Sequence, residues 1–337
     1  MKRILVTGGA GFIGSNFLNY ILKTYDDIFV VNYDKLTYAG NLENLREIEA
    51  KKNYVFIKGD IVDYEQVSST LKKYEINNII NFAAESHVDR SIHSSYSFYE
   101  TNVLGTNVLL NAAREIDLEK FLQVSTDEVY GSLSTEGLFT ETTALNPKNP
   151  YAASKAGADL MALAFCNTYK MPIVVTRCSN NYGPYQFPEK LIPLMVINAI
   201  SNKELPVYGD GLNIRDWIYV IDHNKAIMKV LEDGKSGEVY NVGAKSEKPN
   251  IEIVKLILDY LEKPYSLIKY VNDRPGHDRR YAIDSAKLMA DLNWEPEYSF
   301  DRAIQDTIKW YLDNKNWWER ILSGDYQNYY KLQYQTN

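Results

Sequence analysis

An α/β chain is the fold class this sequence predicts: a doubly wound parallel sheet of Rossmann type, followed by a smaller mixed α/β C-terminal lobe. Three observations predict it. Short apolar runs alternate with longer helical patterns through the first half of the chain, a glycine-rich turn follows the first run, and an aspartate closes the second. Buried strand, amphipathic helix and buried strand in succession are the signature of βαβ units, whose helices cover both faces of one sheet.

Taken in order, RILVTG reads as the first strand and the stretch from about Phe12 to Thr24 as the first helix. IFVVNYD is the second strand, and a helix is expected near Asn41. YVFIKGD, a helix near Tyr64 to Tyr74, NIINFAA, a helix from about Thr101 to Ile116, and FLQVST continue the rhythm. A long helical pattern then carries the chain from Tyr151 to about Tyr169, and PIVVTRCS reads as another buried strand. From 181 to 212 proline, glycine and tyrosine make the pattern irregular, and WIYVIDHNKAIMKVLE reads as a strand leading into a helix. Beyond about Asn250 come two helical patterns with loop material between them, including NDRPGHDRR, and then the tail YQNYYKLQYQTN. The expected division is a dinucleotide-binding domain over residues 1–180, rejoined by 214–242, and a substrate-binding lobe over 181–337.

A chain of 337 residues has room for two such units. Lys and Arg number 37 against 44 Asp and Glu, a net charge of -7, which disfavours a general nucleic-acid surface. Hydrophobic residues at 45% and charged residues at 24% exclude a disordered chain. The glycines of MKRILVTGGAGFIG interrupt any signal-peptide core, and LIPLMVINAI is too short to span a bilayer, so neither targeting nor membrane insertion is expected. Cys166 and Cys178 form no disulfide framework, and His87, His93, His223 and His277 have no ligand spacing; a reduced, cytoplasmic protein without a metal is the expectation.

Gly8, Gly11 and Gly14 stand at GxxGxxG spacing between the first strand and the first helix, with Phe12 and Ile13 at the helix opening. Gly8 permits the tight turn, Gly11 lets backbone approach a pyrophosphate at the helix N-terminus, and Gly14 lets helix pack on strand. Asp34 closes the second strand, where a carboxylate accepts bonds from the adenosine ribose hydroxyls and so favours NAD over NADP. Asp60 and Ile61 follow the third strand, and Ala83 and Ala84 end the fourth, where the chain passes close to a cofactor.

Tyr151 and Lys155 in YAASK share one helix face, and a nearby ammonium stabilises a phenolate that can take a proton from a sugar hydroxyl. Thr126 ends the strand FLQVST and completes a Thr, Tyr, Lys set. Asp127 and Glu128 follow it at the strand's C-terminal edge. Two carboxyl groups there suit an elimination, in which one takes a proton from carbon while the other protonates a leaving hydroxyl.

Together GGAGFIGSNF, DKLTYAGN, NFAAESHVDRSI, VSTDEVYG, YAASKAGAD, NNYGPYQFPEKLIPL, PVYGDGLNIRDWIYV and RPGHDRRYAID resemble the NAD-dependent nucleotide-sugar dehydratases of the extended short-chain dehydrogenase/reductase family, over essentially the whole chain. The resemblance implies a hydro-lyase that converts dTDP-glucose to dTDP-4-keto-6-deoxyglucose and water, as in dTDP-rhamnose or related deoxysugar synthesis, with NAD tightly bound and regenerated each turnover. It implies Tyr151 as base at the sugar 4-hydroxyl, with Lys155 lowering its pKa and holding the nicotinamide ribose, Glu128 as base at carbon 5 and Asp127 as acid at the 6-hydroxyl. Thr126 and Ser86 would bond the sugar; Asp34, Lys35, Leu36, Thr37, Asp60, Ile61, Glu85, Ser86, Thr101 and Asn181 would contact NAD. Asn180, Lys190, Leu191, Pro206, Tyr208, Arg215, Asn250, Asp273, Arg274 and His277 would surround the diphosphate and base. A homodimer through the helices near 101–116 and 151–169 is implied as well. A UDP-sugar 4-epimerase shares fold, NAD and the Thr, Tyr, Lys set but needs no acid and base pair; a UDP- or CDP-sugar 4,6-dehydratase is excluded less firmly. A silent NAD-sensing protein would have lost part of the set that is present here.

Overall fold

A computed structural model describes residues 1–273 and 275–322; Arg274 and the tail YQNYYKLQYQTN lie outside the described residues. The strands are β1 (Lys2–Thr7), β2 (Ile28–Asp34), β3 (Tyr54–Lys58), β4 (Asn78–Asn81), β5 (Lys120–Thr126), β6 (Ile173–Cys178), β7 (Asn180–Tyr182), β8 (Leu205–Tyr208), β9 (Ile214–Tyr219), β10 (Val239–Val242), β11 (Glu247–Pro249) and β12 (Ile268–Val271). Seven of them form one sheet in the order β10-β6-β5-β4-β1-β2-β3, with every neighbouring pair parallel. The order reverses at β1, which pairs with β2 on one side and β4 on the other; in such sheets the crevice outside the C-terminal strand ends at this point receives the ligand.

The apolar runs are continuous because both sheet faces are covered. Ile4, Val6, Val30, Ile80, Leu122 and Val174 pack into one core, while Leu5, Val31, Ile79, Phe121, Ile173 and Val175 pack into the other. Successive side chains on a strand point to opposite faces, and each fully buried one contributes roughly 1.5–3 kcal/mol. The helix Phe12–Thr24 packs with Val220–Asp233 on one face, and Pro150–Tyr169 with Thr106–Ala113 on the other.

A separate core unites Leu191–Ile200, Asn250–Tyr260, Phe300–Asp313 and Lys315–Ile321 with β8 and β9. Beyond Asn250 four helices form among the described residues, two more than expected, because Ala286–Leu292 and Lys315–Ile321 are only seven residues each. Two other expectations change. Near Asn41 there is only a 3-10 turn, Leu42–Leu45, since the Asn41 side chain accepts from Glu43 N at 3.0 Å and fixes a tight turn. The helix expected from Thr101 begins instead as a π-helix, Tyr99–Gly105, that continues into Thr106–Ala113. The wider turn leaves Asn102 buried and aimed at its neighbours: it accepts from Glu85 N at 2.9 Å and donates to Glu85 O at 3.0 Å and Ser154 Oγ at 2.8 Å.

Candidate active site

A cleft of about 300 Å³ opens at the C-terminal ends of the parallel strands. Its floor is the glycine turn. Gly8 has φ +67, and a side chain there would stand 2.7 Å from Ala83 N; one on Gly14 would meet Gly8 O at 2.4 Å. A side chain on Gly11 would meet only Gly8 O, at 3.4 Å, so the backbone beside it faces the cleft. The helix from Phe12 starts without a side-chain cap, which leaves its first N–H groups available to an anion.

At the end of β2, Asp34 is buried; its Oδ2 accepts from Ala10 N at 2.9 Å and its Oδ1 from Leu36 N at 2.7 Å. Burial raises its pKa, and these two bonds oppose the rise. The same bond turns Leu36 into the left-handed region, φ +56, and the Leu36 side chain packs on the core rather than lining the cleft. Lys35 pairs with Asp60 at 2.5 Å. Phe12, Ile13, Thr37, Ile61, Ala83, Ala84, Glu85, Ser86, Thr101 and Asn181 also line the cleft.

The reactive groups meet where β5 ends. Thr126 caps the short turn Asp127–Tyr130, its Oγ1 accepting from Glu128 N at 3.3 Å, which presents the two carboxyl groups to the cleft one after the other. Asn149 caps the helix Pro150–Tyr169 through Ala152 N at 2.8 Å, with Pro150 favouring the first turn. That helix brings Tyr151 and Lys155, both nearly fully buried, to Thr126. Burial pushes the Tyr151 phenol well above its ordinary pKa, the Glu128 carboxylate adds to this, and the Thr126 hydroxyl pulls it down. The lowering expected from Lys155 is not among the causes of this shift. Its ammonium donates instead to Val124 O at 2.7 Å, and burial lowers its own pKa against the opposing charge of Asp159. Asp127 is held well above the usual carboxylate range by burial, then by Glu128 and Asp216, and Arg215 opposes this. Its Oδ2 is buried without a hydrogen-bond partner among the described residues.

Asn180 and Lys190 line the cleft, and Lys190 Nζ donates to Ser86 O at 2.8 Å. Of the other expected substrate residues that the structure describes, Leu191, Pro206, Tyr208, Arg215, Asn250, Asp273 and His277 are not among those lining the cleft. Arg215 donates to Asp278 O at 2.9 Å and lies 4.2 Å over the Tyr281 ring; Tyr208 bonds Asp89 at 3.2 Å; His277 pairs with Asp273 at 2.5 Å. Asn250 N donates to Asn213 O at 2.9 Å, Pro206 sits in β8 and Leu191 opens its helix. Among the described residues no cluster of His, Cys, Asp or Glu has the arrangement of a metal site.

Residues 5–307 match the family model described as GDP-mannose 4,6 dehydratase. The dTDP-glucose 4,6-dehydratase of Neisseria meningitidis serogroup B is 49% identical over 348 residues, covering 97% of this chain and 98% of its own. The chain belongs to the dTDP-glucose 4,6-dehydratase family. Two solved dTDP-glucose 4,6-dehydratases share its fold. That of Bacillus anthracis, in complex with NAD, is 51% identical with a TM-score of 0.89, covering 95% of this chain and 100% of its own. That of Streptomyces venezuelae, with NAD and a TDP ligand, is 46% identical with a TM-score of 0.92, covering 95% and 99%.

The cleft also holds residues that sequence reasoning missed, among them Ser125, Cys178, Ser179, Gln186, Phe187 and Glu189. The first three had a usable signal: they lie at C-terminal strand ends, beside Thr126 and Asn180. Asn102 had none, because a π-helix leaves no mark in hydrophobic periodicity.

Proposed function

We propose that this chain removes water from dTDP-glucose to give dTDP-4-keto-6-deoxyglucose, with NAD held by residues 1–180 and the nucleotide sugar by the lobe over 181–337. The observation that carries the reading is the acidic pair, Asp127 and Glu128, in one cleft with Thr126, Tyr151 and Lys155. The residues fit the cofactor: Gly11 leaves open backbone, Asp34 stands at the second strand end, and the opening of the helix from Phe12 suits a pyrophosphate. When bound, NAD accepts the hydride leaving sugar carbon 4 and gives it back at carbon 6.

This chain's residues move the protons. Tyr151 takes the 4-hydroxyl proton, with the Thr126 hydroxyl beside it holding the phenolic oxygen; Lys155 braces the site from Val124 O. The resulting ketone acidifies the proton on carbon 5, which Glu128 removes. Asp127 protonates the departing 6-hydroxyl; the raised pKa that burial and Glu128 give it favours the protonated acid this step needs. Lys190 and Arg215 are cations suited to the diphosphate, and Arg can bind it bidentately.

A 4-epimerase has no use for this acid and base pair, which favours the dehydratase over it. The protein acts as a homodimer in this reading, supported by the exposed Leu104 and Leu160 on the helices expected to meet; a monomer by light scattering overturns that part. Among the described residues no helix is long and apolar enough to cross a membrane, and two free cysteines accord with a reducing cytoplasm. The deciding experiment is to incubate the protein with dTDP-glucose, UDP-glucose and CDP-glucose in parallel and follow product mass, with proton NMR of the sugar to distinguish isomeric products. Loss of one water from dTDP-glucose alone supports the reading; conversion of UDP-glucose to UDP-galactose instead overturns it.

A further inference from the structure

Outside the reactive centre, one cluster joins the two rims of the cleft. Tyr38 lies four residues beyond Asp34, between Thr37 and Ala39, both of which line the cleft. Its hydroxyl donates to Glu189 Oε1 at 2.9 Å, across to the loop whose Gln186, Phe187, Glu189 and Lys190 line the opposite side. Glu189 Oε2 accepts from Arg90 Nε at 3.0 Å, and the Arg90 guanidinium lies 4.0 Å over the Tyr38 ring. Phe187 meets the same ring edge-on at 5.3 Å. The Glu189 side chain is only 1% exposed, although it is charged and sits on a surface loop. A carboxylate is buried at such a place only when its partners hold it there.

We propose that Tyr38, Arg90 and Glu189 form a clasp that shuts the cleft over the adenosine end of NAD, and that its opening governs cofactor exchange. The inference rests on the NAD reading above. An adenosine ribose held by Asp34 would sit beside the segment that Tyr38 ties to the Glu189 loop, so release of the dinucleotide would require Tyr38 to part from Glu189. The chemistry rewards such a device: a cofactor restored to its oxidised form in every turnover has no need to dissociate, and each exchange interrupts the cycle. Ordinary dehydrogenases, which release reduced cofactor, would be slowed by it. Tyr38, Arg90 and Glu189 are therefore positioning residues and touch no reacting atom.

The test is the rate at which holoenzyme exchanges bound NAD for labelled NAD. Tyr38→Phe deletes one hydroxyl and keeps the ring over which Arg90 stacks; Glu189→Gln removes the charge that both partners address. Each is expected to speed exchange by about tenfold or more, the ratio that follows from losing one hydrogen bond to a charged group. Exchange at the wild-type rate in Tyr38→Phe overturns the clasp even if Glu189→Gln fails to fold. Wild-type protein that cannot be loaded with NAD overturns the underlying cofactor reading instead. Faster exchange with a proportionate loss of urea resistance in Tyr38→Phe also overturns it, since general loosening then suffices.

Discussion

Arg177 Nε lies 2.9 Å from Asp159 Oδ2, and both side chains are almost fully buried, one helical turn beyond Lys155. Arg177 also donates to the Tyr130 hydroxyl at 2.9 Å, which in turn donates to Asn241 at 2.8 Å, so the pair anchors a chain of polar contacts behind the reactive centre. Asp159→Asn leaves Arg177 buried without its counter-charge and is expected to cost about 3–5 kcal/mol in urea unfolding. It also withdraws the charge that opposes the burial of Lys155. The Lys155 ammonium exists below its pKa, so a further fall in that pKa moves the high-pH limb of activity to lower pH. A pH profile on the folded variant checks this; an unmoved limb contradicts it.

Tyr151→Phe and Glu128→Gln should fail at different points. Without the phenol the first proton has no acceptor, and the oxidation is expected to slow by about 10²–10⁴-fold, with no reduced-nicotinamide absorbance on adding dTDP-glucose. With Gln at 128 the oxidation still proceeds, but carbon 5 keeps its proton. Reduced-nicotinamide absorbance then appears and persists. Near-normal turnover in Tyr151→Phe, or no absorbance in Glu128→Gln, assigns the roles wrongly.

Asp34 holds the loop and, in the proposed reading, the ligand as well, so its replacement tests cofactor choice. Asp34→Asn keeps an acceptor oxygen for only one of the Ala10 and Leu36 amides, turns an NH2 toward the other, and loses the charge offered to the ribose hydroxyls. NAD affinity is expected to fall about 10- to 100-fold by calorimetry, as for a lost charge-assisted bond, while the handicap against NADP shrinks. An unchanged NAD Kd counts against ribose binding at this position.

The central sheet was legible because every strand but the edge strand β3 is largely buried on both faces, and the alternation of Ile4, Leu5 and Val6 between two cores leaves an unbroken apolar run in the sequence. Helix Pro150–Tyr169 was legible from its periodicity, and the cleft's glycines from their spacing. What sequence hides is exchange of one local geometry for another. Asn41 folds its own side chain onto Glu43 N and makes a turn where a helix is expected, and the π-helix at Tyr99–Gly105 preserves helical composition while rotating Asn102 inward. The clasp was illegible for a different reason: Tyr38, Arg90 and Glu189 come from three distant segments, and nothing local to any of them records the other two.

His223 carries the last prediction. It is fully buried in the helix Val220–Asp233, its Nδ1 2.8 Å from Asn181 Oδ1, and its Nε2 has no hydrogen-bond partner among the described residues. Burial lowers its pKa to about 3. In the unfolded chain a histidine takes its proton near pH 6.5, whereas the folded protein resists it until about pH 3. The stability contributed by neutral His223 is therefore complete above about pH 6.5 and is lost progressively as pH falls toward about 3. His223→Gln keeps a neutral polar side chain and removes that titration. From pH 7 to pH 5 the wild-type protein should lose about 2 kcal/mol more stability than the variant, read from paired urea midpoints. Parallel pH dependences in the two proteins would mean that the ring takes up a proton in the folded state without penalty, and that its hold on Asn181 survives charging.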